Sequence, residues 1–303
     1  MSEPSAGRRC GFVAVVGAPN AGKSTLVNRL VGAKVSIVTH KVQTTRTRIR
    51  GIAIEGESQM VFVDTPGIFN AKRRLERAMV QAAWAGIEDA DIVLVVHDAS
   101  KKRVSDEARM VITGIPEASR EVILVLNKID LVKRERLLEL TAELSQAREF
   151  AEVFMISASS GDGVADLSEF LARRMPPGPW HFPEDQISDI TLRLMASEIT
   201  REKLFLNLHQ ELPYSLTVES ESWQEFDDGS VRIEQSVFVA REQHKAMCLG
   251  KGGKTIRAVR QAAQADLEQV LGQPVHLFIF VKVRENWLND PERYRVLGLE
   301  FDA

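Results

Sequence analysis

The chain has 303 residues and a net charge of −3, so its length allows one large or two medium domains and its charge gives no global attraction to nucleic acid. Its two cysteines, Cys10 and Cys248, have no His/Cys cluster around them, which argues against a disulfide framework or a zinc site and fits a reducing compartment. No apolar run reaches the roughly 20 residues of a membrane span, and residues 1–8 lack an apolar signal core and read as a flexible tail.

Residues 12–16 are apolar and rich in valine, which reads as a buried strand. Gly17-Ala18-Pro19-Asn20-Ala21-Gly22-Lys23-Ser24 follows, matching the phosphate-loop pattern of Gly, four residues, Gly-Lys-Ser. Thr25 then opens a helical pattern carrying Leu26, Val27 and Leu30. Glycines let main-chain N–H groups approach a phosphate, and the helix N-terminus behind them favours the anion. In that setting Lys23 would neutralise the β- and γ-phosphates, and the Ser24 hydroxyl would ligate Mg²⁺.

The basic stretch 39–50 contains Gln43-Thr44-Thr45-Arg46-Thr47. A threonine on a mobile loop can complete Mg²⁺ coordination only when the γ-phosphate is present, which makes the loop a switch. Thr45 is the first choice and Thr44 the second; a β-prone edge segment is the plainer reading. Strand patterns at 60–63, 92–96, 122–126 and 153–156 alternate with helical patterns at 75–87, 106–113, 134–147 and 164–174. Such alternation of fully apolar strands with helices predicts a parallel sheet covered on both faces. Ligands bind at the carboxyl ends of its strands.

Three polar motifs fall at those ends. Asp64-Thr65-Pro66-Gly67 places a carboxylate where it can hold Mg²⁺ and a glycine whose N–H can meet a γ-phosphate. Asn127-Lys128-Ile129-Asp130 places a carboxylate that can accept two hydrogen bonds from the guanine edge, a pair that adenine lacks. Asn127 would meet the other edge of the purine, with the Lys128 stem along the ring. Ser157-Ala158-Ser159 offers main-chain N–H groups to a base oxygen.

Residues 177–187, opened by Pro177-Gly178-Pro179-Trp180, read as a linker or docking strap, with Trp180 and Phe182 packed on one domain. The rest has a different order. An amphipathic helix spans 190–208, strands follow at 214–218 and 231–240 around the turn Asp227-Asp228-Gly229, and a short helix spans 242–248. Gly250-Lys251-Gly252-Gly253 then leads into a helix with Ile256, Val259, Ala263 and Leu267 on its apolar face, and a strand alternates over 275–283. A Gly-x-x-Gly turn at a helix N-terminus lets a nucleic-acid backbone approach. Arg241, Lys245, Lys251, Lys254, Arg257 and Arg260 ring it, opposed locally by Glu242. An ordinary helix–glycine–helix turn with solvated lysines is the alternative.

The set Gly17–Ser24, Thr45, Asp64–Gly67, Asn127–Asp130 and Ser157-Ala158 resembles, in order, the five motifs of a Ras-like GTPase. Pro19-Asn20 and Thr45-Arg46 are similar to its translation-factor-related bacterial branch. The second half resembles a KH RNA-binding domain of α-β-β-α-α-β order, in which Lys282 and Arg284 are secondary RNA candidates. Together the resemblances cover the whole chain. They imply an α/β fold: a Ras-like domain over 9–176 with a mostly parallel six-stranded sheet, a linker over 177–187 and an α+β KH domain over 188–303. They imply GTP hydrolysis to GDP and phosphate with Mg²⁺, with Lys23, Thr45 and Gly67 stabilising the transferred phosphate. They also imply a cytoplasmic monomer, peripheral on the inner membrane, that binds the 3′ end of small-subunit ribosomal RNA during maturation of the 30S subunit. A tRNA-modification GTPase of the same branch and a non-hydrolysing RNA-binding switch are the alternatives. One departure stands out: Ras-like enzymes carry a water-positioning Gln after the switch glycine, and Ile68 stands here, so no general base is named and slow turnover is expected. By the same resemblance Asn20 would hold a potassium ion, or else it only tolerates a special backbone angle.

Overall fold

A computed structural model describes residues 7–117, 121–208, 212–285 and 287–303. Of the expected tail, residues 1–6 lie outside the described residues. The chain forms two compact units, one of Met1–Asp189 with Leu297–Ala303, the other of Ile190–Val296.

In the first unit the strands are β1 (Arg9–Val16), β2 (Ile49–Glu55), β3 (Ser58–Asp64), β4 (Ile92–Asp98), β5 (Val122–Asn127) and β6 (Glu152–Ile156). They form one sheet in the order β2-β3-β1-β4-β5-β6, with only β2 antiparallel. The helices are α1 (Lys23–Val31), α2 (Arg74–Glu88), α3 (Asp106–Gly114), α4 (Arg134–Ser145) and α5 (Val164–Arg174). Along β1, Val13 and Val15 join a core with Leu26, Val27 and Leu167, whereas Ala14 and Val16 join another with Ala83, Val111 and Leu140. Side chains that alternate across a strand are thus apolar on both faces, which is why the strands read as unbroken apolar runs. β1 lies between β3 and β4, where the strand order reverses, so its carboxyl end opens onto the crevice that such folds use for ligands.

The expected linker is a strap laid along this unit. Trp180 Nε1 donates to the Glu57 carbonyl at 3.1 Å. Gln59 accepts from the His181 and Phe182 N–H groups at 2.9 and 3.0 Å and donates to the Phe182 carbonyl at 2.8 Å. Backbone bridges pair Pro177 with Arg9 and Ser188 with Gly51. The last residues also pack here: Leu299 is buried and Gln81 donates to Glu300 at 2.8 Å.

The second unit contains α6 (Leu192–Asn207), β7 (Leu216–Glu225), β8 (Val231–Val239), α7 (Glu242–Leu249), α8 (Lys254–Leu271), β9 (Val275–Val283) and a short α9 (Pro291–Val296). β7 and β8 are antiparallel, β8 and β9 parallel. Tyr214, expected in a strand, lies in a 3₁₀ turn over Leu212–Ser215. Met195, Ile199, Ile233, Ala263, Leu267 and Leu277 form the core between helices and sheet. On the other face Phe278 and Phe280 are exposed.

Candidate nucleotide cleft and RNA-binding loop

The phosphate loop joins β1 to α1, and its backbone is committed to that shape. Gly22 caps α1 at φ 98°, and a Cβ there would meet Asn127 Nδ2 at 2.1 Å. No other residue fits so close an approach. Gly67, at the end of the β3 motif, is also tight, since a Cβ would lie 3.0 Å from Pro19 Cα. The motifs therefore converge on a cleft of about 610 Å³ lined from the phosphate loop, the 37–45 loop, Gly67, Asp130 and Ala158.

The three residues expected at a metal meet at its floor. Ser24 Oγ donates to Asp64 Oδ2 at 2.7 Å and lies 2.9 Å from Thr45 Oγ1, which is itself 3.4 Å from Asp64 Oδ2. Asp64 Oδ1 is buried and has no hydrogen-bond partner among the described residues. Burial pushes the Asp64 carboxyl up, against the Ser24 hydrogen bond and the Lys23 charge. An acidic oxygen left bare beside two hydroxyls fits a hard divalent cation such as Mg²⁺. Thr44 is turned the other way, donating to the Lys41 carbonyl at 2.7 Å and lying 2.6 Å from the Thr39 hydroxyl. Of the two candidates, Thr45 is the one that reaches the floor.

Lys23 is buried, with its Nζ donating to the Gly17 and Ala18 carbonyls at 3.2 Å each. Burial pushes its pKa down to about 8, opposed by Asp64. A polyphosphate beside this amine would supply the countercharge that burial withholds.

At the base end, Asn127 acts as a bolt between three motifs. Its Nδ2 donates to Ala21 O at 2.9 Å, and its Oδ1 accepts from the N–H groups of Lys128 and Ala158 at 2.8 and 3.0 Å. The expected role at the purine edge is thus narrowed to the one amide hydrogen left over. Lys128, at φ 67°, spans the cleft with Nζ donating to Asn20 O at 2.9 Å and Asp98 Oδ2 at 2.6 Å. Asp98 was not anticipated from sequence; it ends β4 as Asp64 ends β3, which is the signal that could have found it. Asp130 is exposed in the 3₁₀ turn that follows, where it lines the cleft. Thr65 and Ser157 support the site from beneath: Thr65 Oγ1 donates to Val15 O at 2.8 Å, and Ser157 Oγ accepts from Ser160 N–H at 3.2 Å. Asn20 sits at φ 64° and donates to the His40 carbonyl at 2.8 Å, tying the phosphate loop to the 37–45 loop.

Ile68 is fully buried in the core with Ala14, Val16 and Ala83. It faces away from the cleft, so the missing glutamine is replaced by a packing anchor.

In the second unit Gly250, Gly252 and Gly253 have φ of 71, 61 and 72°. A Cβ on Gly250 would lie 2.2 Å from Thr255 Oγ1, whereas nothing lies near Gly252 or Gly253. The turn is thus braced at its first glycine and open to solvent at Lys251 and Gly252. The side chains of Arg241, Lys245, Lys251, Lys254 and Arg257 have no ion-pair partner among the described residues, while Arg260 is turned to Gln264 at 2.9 Å. Val259 is buried in the core and Ile256 packs against it, so neither lines the loop's open side.

The family described as 50S ribosome-binding GTPase matches residues 12–128, and the KH domain family matches 211–288. GTPase Era of Bradyrhizobium sp. (strain ORS 278) is 59% identical over 97% of this chain and 95% of its own length. The chain belongs to the Era family of GTPases. GTPase Era of Rhizobium meliloti is 57% identical, over 97% of this chain and 93% of its own. Two crystal structures match at a TM-score of 0.90 and 36% identity, covering 96% of this chain and 99% of theirs. One is Era in complex with MgGDPNP and nucleotides 1506–1542 of 16S ribosomal RNA; the other is a point variant of Aquifex aeolicus Era bound to GDP·AlF4⁻. Among the described residues no helix is long and apolar enough to cross a membrane.

Proposed function

We propose that this Era-family chain binds GTP and GDP with Mg²⁺, hydrolyses GTP to GDP and phosphate, and grips the 3′ end of small-subunit ribosomal RNA during 30S maturation. The observation that carries the reading is the meeting of Ser24, Thr45 and Asp64, with Asp64 Oδ1 left bare, beside buried Lys23. Mg²⁺ held there would draw electron density from the phosphate oxygens it touches. Lys23 neutralises the β- and γ-phosphates, main-chain N–H groups of the phosphate loop other than Pro19, with those of Thr25 and Gly67, cradle them, and Thr45 reports the γ-phosphate to the loop that carries it. Asp130 selects guanine, with Lys128 along the ring and Asn127 and Ala158 fixing the pocket wall. With Ile68 in the core, at the position where Ras-like enzymes carry a water-positioning glutamine, unassisted turnover is slow. Asn20 holds a potassium ion that takes the part of an arginine finger; equal turnover in sodium and potassium buffers would disprove that assignment.

The functional division is a GTPase domain over 9–176, a strap over 177–187 and an RNA-binding domain over 188–303, whose ends, Ser188, Asp189 and Leu297–Ala303, group with the first compact unit. Arg241, Lys245, the Gly250–Gly253 turn, Lys254 and Arg257 clamp about four unpaired nucleotides. The protein works as a cytoplasmic monomer with peripheral association to the inner membrane. Single-turnover phosphate release from GTP, with and without Mg²⁺, tests the catalytic part. Slow release that requires Mg²⁺ is expected. Tight GTP binding with no release in either condition would leave a switch that only binds, the alternative that Ile68 keeps alive.

A further inference from the structure

We infer that the base-side rim of the nucleotide cleft is a second polyanion surface, one that takes the phosphate backbone of duplex RNA. Lys101, Lys102 and Arg103 follow β4, and Lys133 and Arg134 lead into α4. Arg136 Nη2 donates to Lys102 O at 3.1 Å, which ties the two stretches into one surface. All five side chains are exposed, and none has an ion-pair partner among the described residues. Their neighbours are treated differently: Arg136 pairs with Glu139 at 3.1 Å and Arg109 with Glu143 at 2.7 Å. The exposed acids Asp106, Asp130 and Glu135 oppose the cluster only in part.

Five unneutralised cations on a chain of net charge −3 repel one another unless an anion lies across them. The shape of the charge separates the kinds of anion. Leu131 and Leu138 are exposed close by, which a bilayer would favour. But α4 carries no cation after Arg136, and its Glu139 and Glu143 are already paired with Arg136 and Arg109, so the helix offers an anionic bilayer no basic face to lie on. Cations gathered at a helix start and an adjoining loop suit a line of phosphates crossing the rim. The choice of RNA over DNA rests on the proposed function; the charge pattern does not. Because Lys101 and Leu131 line the cleft itself, RNA held here covers the base side of the bound nucleotide.

The test is fluorescence anisotropy of a labelled 20-base-pair RNA duplex on the full chain saturated with GDP, across a salt series. The variant K102E/R103E/K133E/R134E should bind at least tenfold more weakly at low salt, with a log–log salt slope shallower by about 3–4. The neutral set K102Q/R103Q/K133Q/R134Q should fall in between, and it serves if the reversed set does not fold. Lys251→Asp with Lys254→Asp should keep duplex binding while losing a single-stranded RNA probe, so failure of the rim and failure of the glycine loop read out separately. The inference is overturned if both charge variants bind the duplex like the parent. It is overturned equally if their loss appears only with phosphatidylglycerol vesicles.

Discussion

Lys23 shows how a single residue carries the nucleotide site. Burial holds its amine down at about 8, below the ordinary lysine value of 10.5. A bound polyphosphate favours the charged form, so its pKa rises on binding. The sign follows: between those two values the free protein lacks a proton that the complex holds, so GDP binding takes up a proton and weakens as pH rises through that window. Titration calorimetry at about pH 8.5, just above the lysine's depressed value, in buffers of differing ionisation enthalpy should show this uptake, and Lys23→Met should abolish it. Asn127 is a different kind of residue. Its side chain makes three hydrogen bonds that join three loops, two of them to main-chain N–H groups. Asn127→Ala should cost about 2 kcal/mol of stability even without nucleotide, measurable by chemical denaturation. Asp130→Ala, a substitution of an exposed side chain, should leave stability unchanged while removing guanine preference in a competition assay. The first two motifs were legible because their spacing is rigid. Asp98 was not, because one aspartate after an apolar run carries no pattern of its own.

Whole elements were legible where periodicity was strong. The helix expected at 164–174 is α5 (Val164–Arg174), and the strand expected at 275–283 is β9 (Val275–Val283). β2 was not read from the residues. Its run, Ile49 to Glu55, follows directly on the polar 39–48 stretch, which hides where it begins. Its partner turn at Gly56, with φ 57°, was the available signal. Ile68 illustrates the opposite limit: sequence shows what it replaces, and only packing shows that it serves the core. The glycine turn of the second unit makes a graded prediction. Gly250 has φ 71° and ψ 171°, a region open to glycine alone, and its Cβ space is taken by Thr255. Gly252, at φ 61° and ψ 27°, faces open space. Gly250→Ala should therefore destabilise by roughly 2–4 kcal/mol, adding a clash to the backbone cost, and Gly252→Ala by only about 1 kcal/mol. Thermal unfolding of the two variants checks the order; a larger effect at Gly252 would contradict it.

At the scale of the molecule, the loops that on the proposed function sense the γ-phosphate are already cross-linked to each other. Gln43 Nε2 donates to Glu76 Oε1 at 3.0 Å, joining the 37–45 loop to the first turn of α2. Asn20 holds the same loop through His40 O. The loop that carries Thr45 is thus bonded to α2, against which the last residues of the chain pack through Gln81 and Glu300. On the proposed function, the nucleotide state and RNA binding are coupled. Thermodynamic linkage then requires that RNA and the γ-phosphate alter each other's affinity by one common factor. Glu76→Ala should shrink that factor and leave GDP affinity as it was, a comparison that calorimetry with GDP and a GTP analogue makes directly. The most direct measurement is the affinity of the full chain for single-stranded RNA of the small-subunit 3′ end, taken with Mg²⁺ and GDPNP and again with GDP. The account predicts tighter binding with GDPNP, by about 5- to 150-fold; equal affinity in the two states would contradict it.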